Sequence, residues 1–525
     1  MQSHNTTVEK ISARIKHFHA QQKPFSIYHG STNSTRPSTK TRSNTVDTST
    51  LTHVLEIDNV RKVALVEPNV PMDKLVQAIL PRGLIPPVVM EFPGITVGGG
   101  FMGTAGESSS YRHGFFDRTV NWIEIITGDG VVRHASPTEN TDLFVGAACS
   151  FGTLGVVTLL ELQLLDVPPS PVVELEYHPV SSAAHAVQKI REVTSDPKYT
   201  YVDGILFSKN SGVICAGSIT SAVHPPAQDK LKTLTPTENK VYPITTFSNP
   251  SDPWFYLHAN EVISQSKTTG IPAKEWIPLA EYLFRYDRGG FWVGKYAFSY
   301  FLIPQAKFTR KLLDHISHTR VMYHAVHKAG LFKEYTIQDV AVPYRGAEEL
   351  LYFVDQSFGR YPLWLCPVKQ TTTHATGLLA HPRDLLEVSG QAEPETMLSV
   401  GVWGPGPEGK ERFLDFNRRL EELVNRLGGQ KWLYARTYYT QEEFWGIYPR
   451  EEMDALRRKY NSAYLPNLYE KVQAGRWDFA GTETIGKRSW ISRLTGWIWR
   501  RWPIEGIYGL IHTFWGKEYL LDTKR

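Results

Sequence analysis

Residues 94–116, GITVGGGFMGTAGESSSYRHGFF, form the stretch that decides the fold of this chain. Glycine has no Cβ atom, so a segment this rich in glycine either turns tightly or lies close against another group. The hydroxyl groups of Thr104, Ser108, Ser109 and Ser110, with nearby backbone N–H groups, could hydrogen-bond phosphate oxygens. An ordinary glycine-rich loop explains the same density, so the stretch alone leaves both interpretations open.

A dinucleotide-binding pattern matches inside this stretch, but its surroundings argue against a Rossmann site. Residues 98–103, GGGFMG, satisfy GxGxxG, and Glu124 lies near the expected acidic position. A Rossmann fingerprint needs a strand directly before it and a helix directly after it. Gly106 and three serines follow instead, and these are poor helix formers. We therefore do not expect a nicotinamide Rossmann site here.

A second nucleotide-binding pattern, at residues 289–295, is also rejected. The sequence GGFWVGK satisfies GxxxxGK. A loop that cradles phosphate would not carry Phe291 and Trp292 inside it, and Tyr296 replaces the Ser or Thr that binds magnesium. We expect no P-loop at this position.

The segments around the glycine stretch predict short strands and one helix. KVALVEP (62–68) is typical of a strand, and residues 71–83 predict a helix that ends at Gly83. Residues 121–135 predict a hairpin around a Gly-Asp-Gly turn, and residues 155–165 predict another strand. The pair Pro168–Pro169 then indicates a domain boundary.

From about residue 170 to 430 the pattern is mixed α and β. Helical periodicity is present at residues 304–316 and 411–429, and MLSVGVWG (397–404) predicts a strand. These features predict a second α+β domain. The following segment, residues 431–475, is rich in tyrosine and ends in a helix.

Composition excludes several classes of protein. The chain has 525 residues, enough for three or four domains, and its net charge of +4 is too small for a dedicated nucleic-acid binder. Cys149, Cys215 and Cys366 are far apart, so they indicate neither a disulfide framework nor a paired-cysteine zinc site. A reducing compartment is the expected environment.

Four histidines form a second candidate for metal binding. Residues 315–327 carry two HxxH pairs, and a spacing of three places each pair on one helix face, where neutral imidazoles could hold zinc. Helical histidines that face solvent or acidic neighbours are far more common, so we expect no metal. The four residues are His315, His318, His324 and His327.

The two ends of the chain differ strongly in composition. Residues 1–22 are polar and helical in pattern, with no signal-peptide core, and no apolar run reaches the ~20 residues of a membrane-spanning helix. Secretion is therefore not expected. Tryptophans with basic neighbours in the tail favour the headgroup layer of a membrane, although a helix docked on the protein explains them equally well. The tail tryptophans are Trp477, Trp490, Trp497, Trp499, Trp502 and Trp515.

Several motifs in a fixed order give the chain a family resemblance. Residues 96–120, the following hairpin and FGTLGVVT (151–158) resemble the FAD-binding domain of the vanillyl-alcohol oxidase/p-cresol methylhydroxylase (PCMH) superfamily. Within it the chain most resembles the Δ24-sterol reductases, the Diminuto/seladin group, over roughly residues 25–475. Further motifs of this resemblance are SPTENTDLF (136–144), EYLFRYDRGGFW (281–292), YPLWLCP (361–367), LSVGVWG (398–404) and WLYARTYYTQEEFW (432–445).

The resemblance implies an α+β fold with a two-subdomain PCMH-type FAD-binding domain and a separate α+β substrate domain. The expected organisation is an N-terminal helix (1–24), the FAD-binding domain (25–168), the substrate or cap domain (170–430), a segment that closes on the site (431–475), and a Trp/Arg-rich tail (476–525) that contacts membrane or docks on the protein.

The resemblance also implies which residues hold FAD. Some relatives attach flavin through a histidine in the first loop, but Asn33 stands near that place here, so we expect noncovalent FAD, with His29 close enough to be an alternative. The residues expected to bind FAD are Gly30, Ser31, Thr32, Asn33, Ser34, Thr104, Ala105, Gly106, Glu107, Ser108, Ser109, Ser110, Tyr111, Arg112, His113, Gly114, Phe115, Phe116, Gly152, Thr153 and Gly155.

In the family, NADPH reduces FAD, the flavin delivers hydride to the side-chain 24,25 double bond of a sterol, and a protein acid supplies the proton. Such a reaction needs an acid close to the substrate. The catalytic candidates are Glu107, Arg285, Tyr434 and Tyr438, and Arg288 and Glu443 are further candidates. Each could instead serve a structural hydrogen-bond network. Aromatic residues expected to line the sterol pocket are Phe291, Trp364 and Trp403.

We expect the enzyme to work at the cytosolic face of an internal membrane, the endoplasmic reticulum, with membrane contact through the tail. Two departures from the family bear on this expectation. Animal members carry an N-terminal spanning segment that is not seen in this sequence, and Arg436 stands where relatives tend to be acidic. The alternatives are an FAD-linked oxidase of the same fold that acts on another small hydrophobic substrate, and a flavoprotein-like remnant that acts as a membrane-bound interaction partner.

Overall fold

A computed structural model of the chain describes residues 1–30, 38, 40–222, 244–269, 273–329, 334–370 and 396–474. Two parts of the predicted organisation lie outside these residues, namely Ser31–Ser34 of the first FAD loop and the Trp/Arg-rich tail. Within the described residues the fold is mixed α and β with four sheets.

The predicted N-terminal helix is present as Gln2–Ala20. Its buried apolar side chains recur at intervals of three or four residues, which places them on one helix face. This face packs against residues of two strands, Val46 and Ile126. The helix is therefore an integral part of the first unit. The apolar side chains of this face are Val8, Ile11, Ile15 and Phe18.

A five-stranded antiparallel sheet forms the centre of the first unit. Its third strand is the predicted 155–165 strand, and the predicted hairpin supplies the last two strands, with Gly130 at φ +76° in the turn. Glycine is the residue that adopts this left-handed conformation without strain. In spatial order the strands are Val54–Asp58, Val63–Val66, Gly155–Gln163, Val120–Thr127 and Val132–Ala135.

The predicted helix at 71–83 is confirmed. It comprises an α-helix at Met72–Ile79, one 3₁₀ turn at Leu80–Arg82, and Gly83 in the left-handed conformation. Shorter elements complete the unit: helices Val97–Gly103, Ser110–His113 and Thr141–Ala147, a 3₁₀ turn Phe116–Thr119, a parallel strand pair Ser26–Tyr28 and Thr45–Asp47, and an antiparallel pair Leu84–Ile85 and Leu165–Asp166.

The second unit is built on an eight-stranded antiparallel sheet. It consists of two β-α-β-β arrangements joined edge to edge, where Ile205 pairs with Trp364. The short strand Gln430–Lys431 at one edge lies across the predicted boundary between residues 430 and 431. The strands in spatial order are Ala273–Pro278, Pro171–Val180, Ser211–Ser221, Tyr201–Ser208, Leu363–Val368, Met397–Pro405, Tyr335–Pro343 and Gln430–Lys431.

The two faces of this sheet have different roles because side chains alternate along each strand. Leu363 and Leu365 pack with the helices on one face, whereas Trp364 and Cys366 belong to the core on the other face. The second face is continuous with the core of the first unit and carries the aromatic residues described below. The helices of the first face are Ala183–Ser195, Tyr344–Ser357 and Lys410–Arg426.

The remaining helices cover the aromatic face or follow the sheet. The predicted helix at 304–316 is shorter than expected, with an α-helix at Lys307–Leu312 and a 3₁₀ turn at Asp314–Ser317. Among the described residues, no helix has the length and apolar character needed to cross a bilayer. The other helices are Phe255–Thr269, Leu279–Leu283, Val293–Tyr300, Thr319–Ala329, Gln441–Ile447, Arg450–Lys459 and Leu468–Val472.

Candidate active site

A cavity of about 750 Å³ lies where the first unit, the eight-stranded sheet and the segment 431–474 meet. Its volume falls within the range of about 300–1,000 Å³ that is typical of cofactor and ligand pockets. One part of the wall is formed by glycine-rich backbone, and another part is formed by aromatic side chains. The cavity can therefore hold a ligand with a polar and an apolar part.

The glycine stretch forms one wall of this cavity. Gly98 donates its backbone N–H to Pro68 O across 2.7 Å, and a Cβ atom at Gly98 would lie 2.7 Å from Pro68 Cβ, so glycine is needed there for packing. At Gly103 the nearest protein atom to an added Cβ would be 3.6 Å away. Protein packing alone therefore does not explain glycine at that position. The wall residues of this stretch are Gly94, Ile95, Thr96, Gly98, Gly99, Met102, Gly103, Ala105 and Gly106.

After Gly106 the chain turns into the protein interior. The Glu107 carboxylate accepts hydrogen bonds from Ser108 Oγ at 2.7 Å and from the Ser109 backbone N–H at 2.8 Å. Ser109 Oγ also donates to Pro87 O, and Ser110 Oγ accepts from the Glu107 N–H. These three hydroxyl groups, which the sequence offered for phosphate binding, are thus engaged within the protein.

The other residues of the predicted segment 104–116 also support the wall from behind. Phe115 and Phe116 are buried in the core, and Tyr111 donates to Tyr199 O. Thr104 O accepts a hydrogen bond from Trp432 Nε1 at 2.9 Å, which ties the wall to the segment 431–474. Arg112, His113 and Gly114 are likewise absent from the described cavity wall.

A second part of the wall comes from the first strand and from the loop before residue 155. Gly152 lines the cavity at φ +77°, and a Cβ there would lie 2.6 Å from Ile27 Cδ1. Gly30, Thr153 and Gly155 are not in the described wall. His29 lines the cavity, and burial with the nearby Lys40 charge lowers its pKa to about 3, so its imidazole is neutral.

The opposite part of the cavity is aromatic. The ring centroid of Phe291 lies 4.3 Å from that of Trp403, 5.3 Å from Trp364 and 5.4 Å from Phe92. Phe291 has φ +56°, a strained conformation for a residue with a Cβ, and such strain is found where a side chain is held for function. This aromatic chamber, completed by Tyr323 and Tyr434, contains the three aromatic residues that the sequence assigned to a sterol pocket.

Asp339 is a buried carboxyl group in the aromatic chamber. Its Oδ2 accepts hydrogen bonds from Tyr434 Oη at 2.9 Å and Trp403 Nε1 at 3.2 Å, and its Oδ1 has no partner among the described residues. Burial raises the pKa of Asp339 to about 7, and the two hydrogen bonds and the Lys431 charge oppose this rise. Asp339 can therefore hold or release a proton near neutral pH.

Glu91 is a second carboxyl group in the same cavity wall. Its Oε1 has no partner among the described residues. Burial, reinforced by the nearby Glu107 charge, raises the pKa of Glu91 well above the usual carboxyl range. Burial likewise raises the pKa of Glu107, against the hydrogen bonds from Ser109 and Ser108.

Arg285, a catalytic candidate, belongs to a structural cluster behind the chamber. Its Nη2 lies 2.8 Å from Asp203 Oδ2, which also accepts from Tyr286 Oη and Trp364 Nε1. Its guanidinium carbon lies 3.9 Å from the ring centroid of Tyr282. Arg285 is absent from the described cavity wall, so its position supports the chamber indirectly through Trp364.

The remaining catalytic candidates differ in position. Tyr434 lines the cavity beside Asp339, whereas Tyr438 lies in a small cluster with Phe413 and is absent from the described wall. Glu443 caps the helix Gln441–Ile447, and Arg288 pairs with Asp314. Of the predicted candidates only Tyr434 therefore reaches the cavity. Arg436, the departure from the family pattern, is also buried and absent from the wall.

Sequence reasoning missed the two carboxyl groups of the chamber. A signal for Asp339 exists, because it interrupts the apolar strand YTIQDVAVP at a position on the same face as Ile337 and Ala341. An acid at an inward position of a strand must be paired or functional. Glu91 similarly interrupts the apolar run 88–92.

Comparisons with known proteins agree with this geometry. A family model described as an FAD binding domain matches residues 4–136, which include the N-terminal helix and the glycine wall. The chain is 27% identical to the Delta(24)-sterol reductases of Macaca fascicularis and Homo sapiens over 435 residues, which cover 80% of this chain and 76% of each relative. It is also 27% identical to the Delta(24)-sterol reductase of Arabidopsis thaliana over 460 residues, 82% of this chain and 77% of the relative.

These findings confirm the resemblance drawn from the motifs. The chain is similar to the Delta(24)-sterol reductases of animals and plants over about four fifths of its length, and its residues 4–136 match an FAD binding domain. They support its assignment as an FAD-dependent oxidoreductase.

Proposed function

We propose that the chain is an FAD-dependent reductase that uses NADPH to reduce the side-chain 24,25 double bond of a sterol. The observation that carries this proposal is the cavity in which a glycine wall is continuous with a chamber of aromatic rings. The first suits the diphosphate of a dinucleotide, and the second suits a hydrocarbon substrate. The names of the relatives support the sterol as the substrate class.

The cavity wall fits FAD at two glycines where an added Cβ would project beside the cavity and hinder a ligand that approaches the main chain. Gly103 and Gly106 line the cavity, and the protein leaves ordinary contact distance beside an added Cβ at Gly103. Glycine at such a site lets a ligand approach the main chain. Gly98, Gly99 and Gly152 would complete the surface that holds the cofactor. When bound, FAD would supply hydride to the substrate.

The aromatic chamber would orient the substrate and exclude water. The ring of Phe291 lies edge-on to those of Trp364 and Trp403, a packing that aromatic pairs prefer. Holding two reactants in one geometry removes much of the entropic barrier to their reaction. The buried cluster of Arg285 and Asp203 would fix Trp364 through its indole N–H.

The proposal also covers the electron donor, the attachment of FAD and the location of the enzyme. NADPH would be the electron donor, FAD would be held noncovalently, and the enzyme would work at the cytosolic face of an internal membrane such as the endoplasmic reticulum. The Trp/Arg-rich tail, outside the described residues, would supply membrane contact.

The experiment that tests this function is anaerobic addition of NADPH to the purified, FAD-loaded chain, with and without a 24,25-unsaturated sterol. We expect NADPH to bleach the flavin absorbance, the sterol to restore it, and the saturated sterol to be recovered. Rapid reoxidation by air, with no reduction by NADPH and no saturated product, would instead support an oxidase. A chain that stays colourless after FAD is added would support the noncatalytic alternative.

A further inference from the structure

The aromatic chamber holds one carboxyl group that is both oriented and free to react. Asp339 is 2% exposed and lines the cavity, and two donors from different elements hold its Oδ2. The other oxygen, Oδ1, has no hydrogen-bond partner among the described residues. A buried carboxyl oxygen without a partner is costly and calls for an explanation. A reacting substrate in the cavity provides one.

We propose that Asp339 is the acid that donates the proton to the substrate alkene, with Tyr434 as the residue that positions it. This inference rests on the proposed reductase function. Tyr434 Oη donates to Asp339 Oδ2, so the phenol proton is committed to the carboxyl group and the carboxylic proton is carried on Oδ1. The Trp403 indole N–H holds the same Oδ2 from the neighbouring strand.

The step balances in atoms and electrons. The π bond of the alkene breaks as one carbon accepts hydride and the other carbon forms a C–H bond with the proton of Asp339. The O–H bond of the carboxyl group breaks, and its electron pair stays on Oδ1 as the carboxylate. Solvent returns a proton to Asp339 before the next turnover. The donated proton therefore comes from water, and the two electrons of the hydride come from NADPH through the cofactor.

The charged and titratable groups around Asp339 determine its behaviour with pH. Tyr434 faces it from the segment 431–474, the Lys431 charge acts from the edge strand, and Tyr323 lies on the covering helix. The charge of Glu91, another residue of the cavity wall, acts on Tyr434. Since the pKa of Asp339 is raised to about 7, the acid is protonated below that pH, and turnover of the sterol should fall as the pH rises through it.

The test compares Asp339→Asn with Glu91→Gln, which removes the other unpartnered carboxyl group of the cavity. We expect Asp339→Asn to lower sterol turnover by roughly 100-fold or more, the usual contribution of a general acid. FAD retention, reduction by NADPH and quenching of tryptophan fluorescence by the saturated sterol should stay unchanged. Glu91→Gln asks whether the other cavity carboxyl group is the acid instead, and it should lower sterol turnover much less than Asp339→Asn does. Undiminished turnover in Asp339→Asn, or loss only in Glu91→Gln, would overturn the inference.

Two further measurements separate a reacting acid from a structural residue. Tyr434→Phe removes a hydrogen bond that lowers the pKa of Asp339, so the descending limb of the pH–rate profile should move to higher pH; an unmoved limb contradicts the assignment. In heavy water the carbon that accepts the proton should carry deuterium in the wild-type product, and product without deuterium there would contradict proton donation by an exchangeable acid. If the wild-type chain reduces no sterol, the proposed function is wrong. If the wild type and Asp339→Asn reduce the sterol equally well, only the assignment of the acid is wrong.

A second, independent observation concerns the protein surface at residues 302–312. Leu302, Phe308 and Leu312 are 75%, 73% and 69% exposed, and they lie within eleven residues of one another. Phe308 and Leu312 are four residues apart on the helix Lys307–Leu312, so they lie on the same face. Large apolar side chains clustered on a surface mark a site of interaction.

The charge of this surface indicates its partner. The segment 302–313, LIPQAKFTRKLL, carries Lys307, Arg310 and Lys311 and no acidic residue. Lys307 and Lys311 are exposed and form no ion pair with any described residue, whereas Arg310 is half-buried and donates to Gln305 O. A surface of this kind can bind an anionic lipid bilayer. The apolar side chains insert into the interface of the bilayer, and the lysine ammonium groups are attracted to its anionic headgroups.

We infer that residues 302–312 dock on the surface of an anionic phospholipid membrane. The segment is joined to the aromatic chamber, because Asp314 pairs with Arg288 at 2.7 Å, three residues before Phe291. An apolar substrate dissolved in the bilayer would then be close to the chamber. Residues 302–312 and the tail are different parts of the sequence, so the two can be tested apart.

The test labels the full chain at a single introduced cysteine, since Cys149, Cys215 and Cys366 are buried. Phe308→Cys carrying an environment-sensitive fluorophore should shift to the blue with phosphatidylserine-containing vesicles, and Tyr352→Cys, an equally exposed control, should not. Lys307→Glu with Lys311→Glu should weaken the response at least about fivefold. The inference would be overturned if the fluorophore at residue 308 shows no shift, or if charge reversal leaves the response unchanged. It would also be overturned if Phe308→Cys cannot be labelled, or if raising the protein concentration without vesicles causes the same shift.

Discussion

Arg285 and Asp203 form an ion pair that is buried on both sides, with 2.8 Å between Nη2 and Oδ2. The same Oδ2 accepts from Trp364, a residue of the aromatic chamber. Burial of a charge is tolerated only when it is paired and hydrogen-bonded. This pair therefore links the stability of the fold to the shape of the site.

Replacing Arg285 should reveal a structural role. Arg285→Ala would leave Asp203 charged and buried, at a cost of about 3–5 kcal/mol. Arg320→Ala, which breaks a half-exposed pair with Asp73, should cost less than about 1 kcal/mol. Thermal unfolding of both variants measures the difference. An Arg285→Ala chain of unchanged stability that loses only sterol turnover would instead indicate a catalytic role.

The glycine wall predicts a specific loss of flavin. Gly106 lines the cavity, and a Cβ there would lie 3.3 Å from Phe115 Cδ1, so the branched side chain of Gly106→Val should reduce the space beside the main chain. We expect FAD affinity to fall at least tenfold, about 1.4 kcal/mol. Gly446→Val is the control, because an added Cβ there meets nothing within 4 Å. Equal FAD retention by the two variants, measured after gel filtration, would contradict this placement of the cofactor.

Of the described cavity residues, His29 is the histidine that could carry a covalently attached flavin. His29 is half-buried and lines the cavity, and its pKa is lowered to about 3, so it is a neutral imidazole in the wall assigned to the cofactor. We nevertheless expect acid precipitation to release FAD into the supernatant, in agreement with noncovalent binding. Yellow colour that stays in the pellet, and disappears in His29→Ala, would show a covalent bond instead.

The segment 431–474 should open the cavity when its contact with Gly128 is lost. A Cβ at Gly128 would lie 2.2 Å from the backbone oxygen of Asn461, and Tyr464 Oη donates to Gly128 O at 2.8 Å. Gly128→Ala should cost about 1–3 kcal/mol, as overpacking does. Limited proteolysis should then cut the segment faster, and FAD should protect it. Cleavage at the wild-type rate would count against this contact as the one that holds the segment.

The N-terminal helix predicts a pH dependence of stability. His4 lies between Glu67 and Glu124, whose hydrogen bonds raise its pKa to about 9. A raised histidine pKa stabilises the fold below the unfolded value of 6.5, and this stabilisation is lost as pH rises through 9. His4→Ala should cost about 3 kcal/mol because Glu67 stays buried.

The control for this prediction is His53, which binds the same Glu67 from the surface with 67% of its side chain exposed. His53→Ala should cost less than about 1 kcal/mol. Melting temperatures from pH 6 to 10 should fall for the wild type and for His53→Ala. A His4→Ala chain with the same pH dependence as the wild type would show that another group is responsible.

Local signals in the sequence were sufficient for elements whose contacts are local. The helix that ends at Gly83 and the hairpin at Gly130 follow from capping and turn residues that act within a few positions. The eight-stranded sheet could not be predicted in this way. Its two halves join where Ile205 meets Trp364, a pairing that no local pattern specifies.

Local sequence signals likewise predicted only part of the candidate site. The glycine wall was predicted because its composition is itself the signal, whereas the hydroxyl groups of Ser108 and Ser109 turned out to bind Glu107 and Pro87. Asp339 was missed because its partner Tyr434 lies 95 positions away, so the pair exists only in the folded chain.

The measurement that tests the central claim most directly is the visible absorbance spectrum of the purified chain after incubation with FAD and removal of free cofactor. If the glycine wall receives the diphosphate of a dinucleotide, the chain should retain close to one flavin per molecule, and Gly106→Val should retain almost none. A folded wild-type chain that keeps no flavin at saturating FAD would contradict the account.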